Sequence, residues 1–193
     1  IADYPIYGTP TSINAFALGA QMVNPRAQIV LEWSTLPGHS PEAALAARGV
    51  HIISSRDISA PHLESRAFGL YHEQDGVIAN LAMPIWNWGK LYEGIVRSIL
   101  TGAWSDEGEH NADRAMNYYM GMSTDAIDII CSQRLPARTR RLVDLLHERI
   151  RAGAFLPFVG PIVDQAGQVH VAADVALTPQ EIMELIDTAC AIM

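Results

Sequence analysis

Short apolar runs of β character alternate along this chain with longer stretches of helical period, the pattern of an α/β layer structure with a largely parallel sheet. Residues 1–4 are the first expected strand. A turn containing Pro5, Gly8 and Pro10 leads to a helix that Thr11 or Ser12 can cap, with Ile13, Phe16, Ala17 and Ala20 on one face and Asn24-Pro25 at its end. Residues 28–33 read as a second strand, 41–48 as a short helix stopped by Gly49, and 50–55 as a third strand. In such a β-α-β-α-β series ligands sit at the carboxyl ends of the strands, here the turns after Tyr4, Trp33 and Ser55.

The pattern then changes. Extended runs at 67–71 and 77–82 flank Glu73-Gln74-Asp75-Gly76, and Asp-Gly is a turn signal. A helix over 88–100 puts Leu91, Ile95 and Ile99 on one stripe and stops at Gly102. Residues 126–131 are a further strand. Pro136 opens an amphipathic helix carrying Leu142, Leu145, Leu146 and Ile150, closed by Gly153. Runs at 155–160 and 168–172 around Gln165-Ala166-Gly167 suggest a hairpin, and Thr178 with Glu181 forms a capping box for the last helix.

Composition narrows the function. The 193 residues are 49% hydrophobic and 18% charged, ample for a packed core and unlike a disordered chain. Thirteen basic against twenty-one acidic residues give a net charge of −8, which repels phosphate backbones, so no nucleic-acid partner is expected. Cys131 and Cys190 are far apart and read as free buried thiols, with a single disulfide as the alternative, and the seven histidines never take a metal spacing, so neither cofactor nor metal is expected. No run reaches the ~20 apolar residues of a membrane helix. The chain opens mid-strand at Ile1 and reads as a piece of something longer.

Several segments carry a more specific likeness. They are Ile13-Asn14-Ala15-Phe16-Ala17-Leu18-Gly19-Ala20, Ala67-Phe68-Gly69, the run from Val77 through Pro84-Ile85-Trp86-Asn87-Trp88-Gly89, Thr101-Gly102-Ala103-Trp104, and Gly160-Pro161-Ile162-Val163-Asp164-Gln165-Ala166-Gly167. In this order they resemble the basic membrane protein (BMP) family of solute-binding lipoproteins, known members of which bind purine nucleosides for an ABC importer. The resemblance implies a type I periplasmic-binding-protein fold, with a mostly parallel sheet flanked by helices and ligand in the cleft between two lobes. It implies that most of the first lobe is absent. Residues 1–81 would form a second-lobe segment, 82–125 a crossover with a helix toward the first lobe, and 126–193 the return and C-terminal helix. An uncovered face on the helix after Trp88 would then drive self-association into a homo-oligomer. The implied location is extracytoplasmic, membrane-anchored or periplasmic, with an ABC permease as partner.

The candidate ligand-binding residues are Tyr4, Asp57, Tyr71, Trp86 and Asn87. Asp57 follows the third strand, in a stretch resembling the family's Thr-Asp-Ser-Pro loop, where a carboxylate accepts from ribose hydroxyls or base N–H groups; an Asx turn is its plainer role. Tyr4 ends the first strand, either at the cleft floor or as an ordinary strand-end aromatic. Trp86 and Trp88 offer flat π faces and Asn87 paired hydrogen bonds, against the plainer roles of core packing and helix capping. The nucleoside receptors carry Lys at the position of Trp86 and Asp at that of Tyr71, so the exchange points either to a flatter, more neutral ligand or to a pocket that no longer binds anything. No nucleophile elbow, P-loop or dinucleotide fingerprint is present, so an enzyme is not expected. The alternatives are a ligand-sensing domain of a cytoplasmic regulator and, less favoured, an α/β hydrolase.

Overall fold

A computed structural model of the chain describes residues 1–6, 8–55, 67–102, 120–164 and 166–185. It is α/β, with a four-stranded sheet of order β1 (Ile52–Ser54), β2 (Leu70–Gln74), β3 (Val77–Trp86), β4 (Ile127–Cys131) and a separate two-stranded sheet. The chain divides into two compact units, one of residues 1–83 with the chain from Phe155 onward, the other Pro84–Ala154.

In the first unit, α1 (Thr9–Val23) begins earlier than expected. The reason is Pro10, which sits in the first turn, where a missing N–H costs nothing. Its buried face is Pro10, Asn14 and Ala17 rather than the Ile13/Phe16 stripe, and Phe16 is left exposed. Helix α2 (Pro41–Ala47) starts where Ser40 accepts from the Ala43 N–H. Strand β1 (Ile52–Ser54) pairs with β2 (Leu70–Gln74), and β2 with β3 (Val77–Trp86), both antiparallel. The β2–β3 turn is Asp75-Gly76, both with positive φ, as a two-residue hairpin requires.

The expected largely parallel sheet is therefore corrected: the β1–β2, β2–β3 and β5–β6 ladders are antiparallel. Between β2 and β3 a two-residue connection permits nothing else, because parallel neighbours need a crossover of a dozen residues or more. A parallel bridge joins Ala2 to Trp33, where the Ala2 N–H donates to the Glu32 carbonyl at 3.0 Å and the Ser34 N–H to that of Ala2 at 2.8 Å. The expected strands at 1–4 and 28–33 reduce to that bridge.

Two apolar clusters hold this unit. Leu45, Ile53 and Tyr71 are buried with Val30, Val50 and Ile78 packed around them. Ala17, Ile162 and Val171 are buried among Leu18, Phe158 and Leu177. The second cluster involves the hairpin β5 (Ile162–Val163) and β6 (Val169–Val171), whose turn is tied by Asp164 accepting from the Ala166 and Gln168 N–H groups. The predicted capping box is formed: the Thr178 hydroxyl oxygen accepts from the Glu181 N–H, and the Glu181 carboxylate from the Thr178 N–H. It opens the last described helix, Pro179–Glu184.

The second unit holds α3 (Trp88–Leu100), a 3₁₀ turn at Met122–Thr124, β4 (Ile127–Cys131) and α4 (Ala137–Arg151). Among its described residues only Ala126 is a buried hydrophobic, and neither helix buries a residue.

Candidate functional site

Strand β3 ends at Trp86 and α3 begins at Trp88, so Asn87 is the hinge between an extended and a helical backbone. In a strand the two tryptophans, two residues apart, would share a face. Here their rings stack, with centroids 5.8 Å apart and planes 17° from parallel. Both are about half exposed. They line a cavity of about 210 Å³ with Asn87, Leu91, Met120, Ala126 and Ile127, all within the second unit. No lining side chain is charged.

Asn87 occupies the N-cap position of α3 but its side chain makes no capping bond. Its Nδ2 donates instead to the Asp125 carbonyl at 2.8 Å, and its backbone N–H to the Ala126 carbonyl at 2.9 Å. Because a carbonyl can only accept, this bond fixes which end of the amide is nitrogen. Asp125 is held in turn. Its φ of 58° is left-handed, a conformation that Asp tolerates better than most residues, and its carboxylate pairs with Arg151 at the end of α4, 2.6 Å away. Asp125 and Arg151 were not among the sequence candidates; only the position of Asp125 just before a strand hinted at a turn.

The other candidates lie elsewhere. Tyr4 is exposed on the loop after the Ala2 bridge. Tyr71 belongs to the first unit's core and has no exposed surface; its hydroxyl has no partner among the described residues, and burial, then Glu42 and Glu73, push its pKa up to about 12. Asp57 lies outside the described residues, as does the acidic stretch 107–113.

A second concavity is polar, lined by Asp128, Cys131, Arg140, Arg141, Asp144 and His147. Its Asp128 is engaged already, accepting from the Ile129 N–H and pairing with His147 at 2.8 Å; these hold its carboxyl below the usual range. Cys131 is free, and burial followed by Asp144 pushes its thiol pKa up, so it is not an activated nucleophile. No three His, Cys, Asp or Glu side chains among the described residues gather into a metal site. No described helix is long and apolar enough to cross a membrane.

No family model matches the chain. It is 26% identical over 180 residues to a purine-binding protein of Brucella abortus, covering 86% of this chain and 49% of that one. It is 30% identical over 118 residues to a putative ABC transporter glucose-binding protein of Haloferax volcanii, covering 54% of this chain and 30% of that one. The chain spans at most about half the length of these relatives. Both are named as binding proteins rather than enzymes, and it is solute-binding proteins of this kind that the chain distantly resembles.

Proposed function

We propose that the chain is part of a small-molecule binding protein of the BMP kind, acting as the solute receptor of an ABC importer or as a sensor, and not an enzyme. The observation that carries this reading is the Trp86–Trp88 stack over an apolar cavity whose one polar side chain, Asn87, is not spent on capping. Aromatic faces with few convergent polar groups suit a planar ring, since stacking on an aromatic side chain is worth about 1–3 kcal/mol per base. The purine-binding relative agrees with a nucleoside-like ligand. Asp57 and Tyr4 are the further contacts this reading assigns to the ligand, and an extracytoplasmic location and a permease partner follow from it.

Titration with inosine and guanosine tests it, read by tryptophan fluorescence and by thermal shift. Quenching and stabilisation are expected, weakened at least tenfold in Trp86→Leu and in Asp57→Ala. A full nucleoside panel without either signal refutes the reading.

A further inference from the structure

Asn87 is the point at which the cavity can tell ligands apart. An amide side chain ordinarily brings two donors and an acceptor. Here one face of that capacity is already used, because Nδ2 is committed to the Asp125 carbonyl, which the Arg151–Asp125 ion pair and the backbone bond to Ala126 hold in place. What Asn87 keeps is Oδ1, an acceptor with no partner among the described residues. The remaining lining is indole, aliphatic and thioether.

Resting on the ligand pocket proposed above, we infer that Asn87 is a specificity-determining residue whose Oδ1 accepts from a ring N–H, so that the cavity selects an uncharged planar heterocycle bearing such a donor. A hexose fits the same lining poorly. Its five hydroxyls each need partners once desolvated, and the side chains offer only Oδ1 and two indole N–H groups. A heterocycle whose N–H is methylated keeps its flat face but leaves Oδ1 dry and unpaired, which is the costly case. The cavity's volume of about 210 Å³, below the ~300–1,000 Å³ of pockets for larger ligands, suits a single ring system.

The test compares inosine, whose N1–H is the ring donor, with 1-methylinosine and glucose on the unaltered chain by calorimetry and tryptophan quenching. Inosine is expected to bind and quench, 1-methylinosine to bind at least tenfold more weakly, and glucose not to bind. In Asn87→Ala the two nucleosides should come within twofold of each other, because the acceptor that separates them is gone. Equal affinity of the two nucleosides for the unaltered chain, or a preference that survives Asn87→Ala, overturns the role of Asn87 while leaving the pocket standing. Binding by glucose in preference to inosine overturns the selectivity. Failure of both nucleosides to bind removes the pocket reading and this inference together.

Discussion

Tyr71 stood among the ligand candidates, yet it is the largest fully buried side chain of the first unit, packed with Leu45 and Ile53. A hydroxyl taken out of water without a partner costs on the order of 1–3 kcal/mol, and none of the described residues partners this one. Tyr71→Phe removes that cost while keeping the ring, and is expected to raise the unfolding free energy by about 1 kcal/mol. A second signature comes from its pKa, pushed up to about 12 mainly by burial. A tyrosine whose pKa is higher folded than unfolded gives stability that is complete below the unfolded value of about 10 and is lost as pH rises toward the folded one. That is a loss of about 2 kcal/mol by pH ~12, which the phenylalanine variant lacks. Urea unfolding of both proteins at neutral and alkaline pH measures each effect. Destabilisation of Tyr71→Phe by more than about 1 kcal/mol at neutral pH would show that the hydroxyl has a partner after all, and loss of the nucleoside thermal shift would return Tyr71 to the ligand.

Three further outcomes follow from the same structure. A Cβ at Gly160 would sit inside the van der Waals radius of the Ala172 carbonyl oxygen, so Gly160→Ala is expected to cost about 1–3 kcal/mol or more by urea unfolding, whereas Gly19→Ala, inside α1 with open space around it, should stabilise by about 0.5–1 kcal/mol. Removing the Thr178 hydroxyl breaks the half of the capping box that accepts from the Glu181 N–H, leaving the Thr178 N–H on the Glu181 carboxylate, and Thr178→Ala should lower stability by about 1 kcal/mol, rescued by Thr178→Ser. The Asp128 carboxyl is held low by the Ile129 N–H and then His147, so its contribution is present above the ordinary carboxylate pKa and disappears as pH falls through the lower folded value; the acid limb of a melting-temperature profile should flatten in Asp128→Asn.

Local chemistry was legible in the sequence wherever a residue type dictates backbone shape. Asp75-Gly76 announced its hairpin, the bounds of α3 followed from its periodicity and Gly102, and Thr178 with Glu181 named their own cap. Strand direction was not, because apolar alternation is identical in parallel and antiparallel ladders and only connection length separates them. The run at 28–33 has strand composition yet bridges only at Trp33. The buried face of α1 was misjudged for a related reason: Asn14 is buried because its Nδ2 reaches the Leu185 carbonyl, a bond across 171 residues. Asn87 shows the same limit at the candidate site. Its local sequence predicts a cap, and the Asp125 carbonyl, 38 residues away, takes the side chain instead.

Helix α3 carries the last expectation. At about 100° per residue its apolar positions fan from Leu91 through Ile95 and Ile99 to Tyr92, Val96 and Leu100, an arc of roughly 180°. Only the Leu91–Ile95 edge is half-buried, while Trp88, Tyr92, Val96, Ile99 and Leu100 remain 53–81% exposed. Half the surface of five large side chains is on the order of 500 Å², beyond what scattered surface hydrophobics present and short of the ~800 Å² per partner of a standard interface. Such a face associates with the apolar surface it meets most often, which in a purified sample is its own copy, and the area sets that association as weak and concentration-dependent. Light scattering across a hundredfold dilution should show dimer dissociating to monomer, and Val96→Lys with Ile99→Lys should yield monomer throughout without lowering the melting temperature, since neither side chain is buried. A monomer at every concentration, or a dimer that tolerates both lysines, would mean that this arc does not drive self-association.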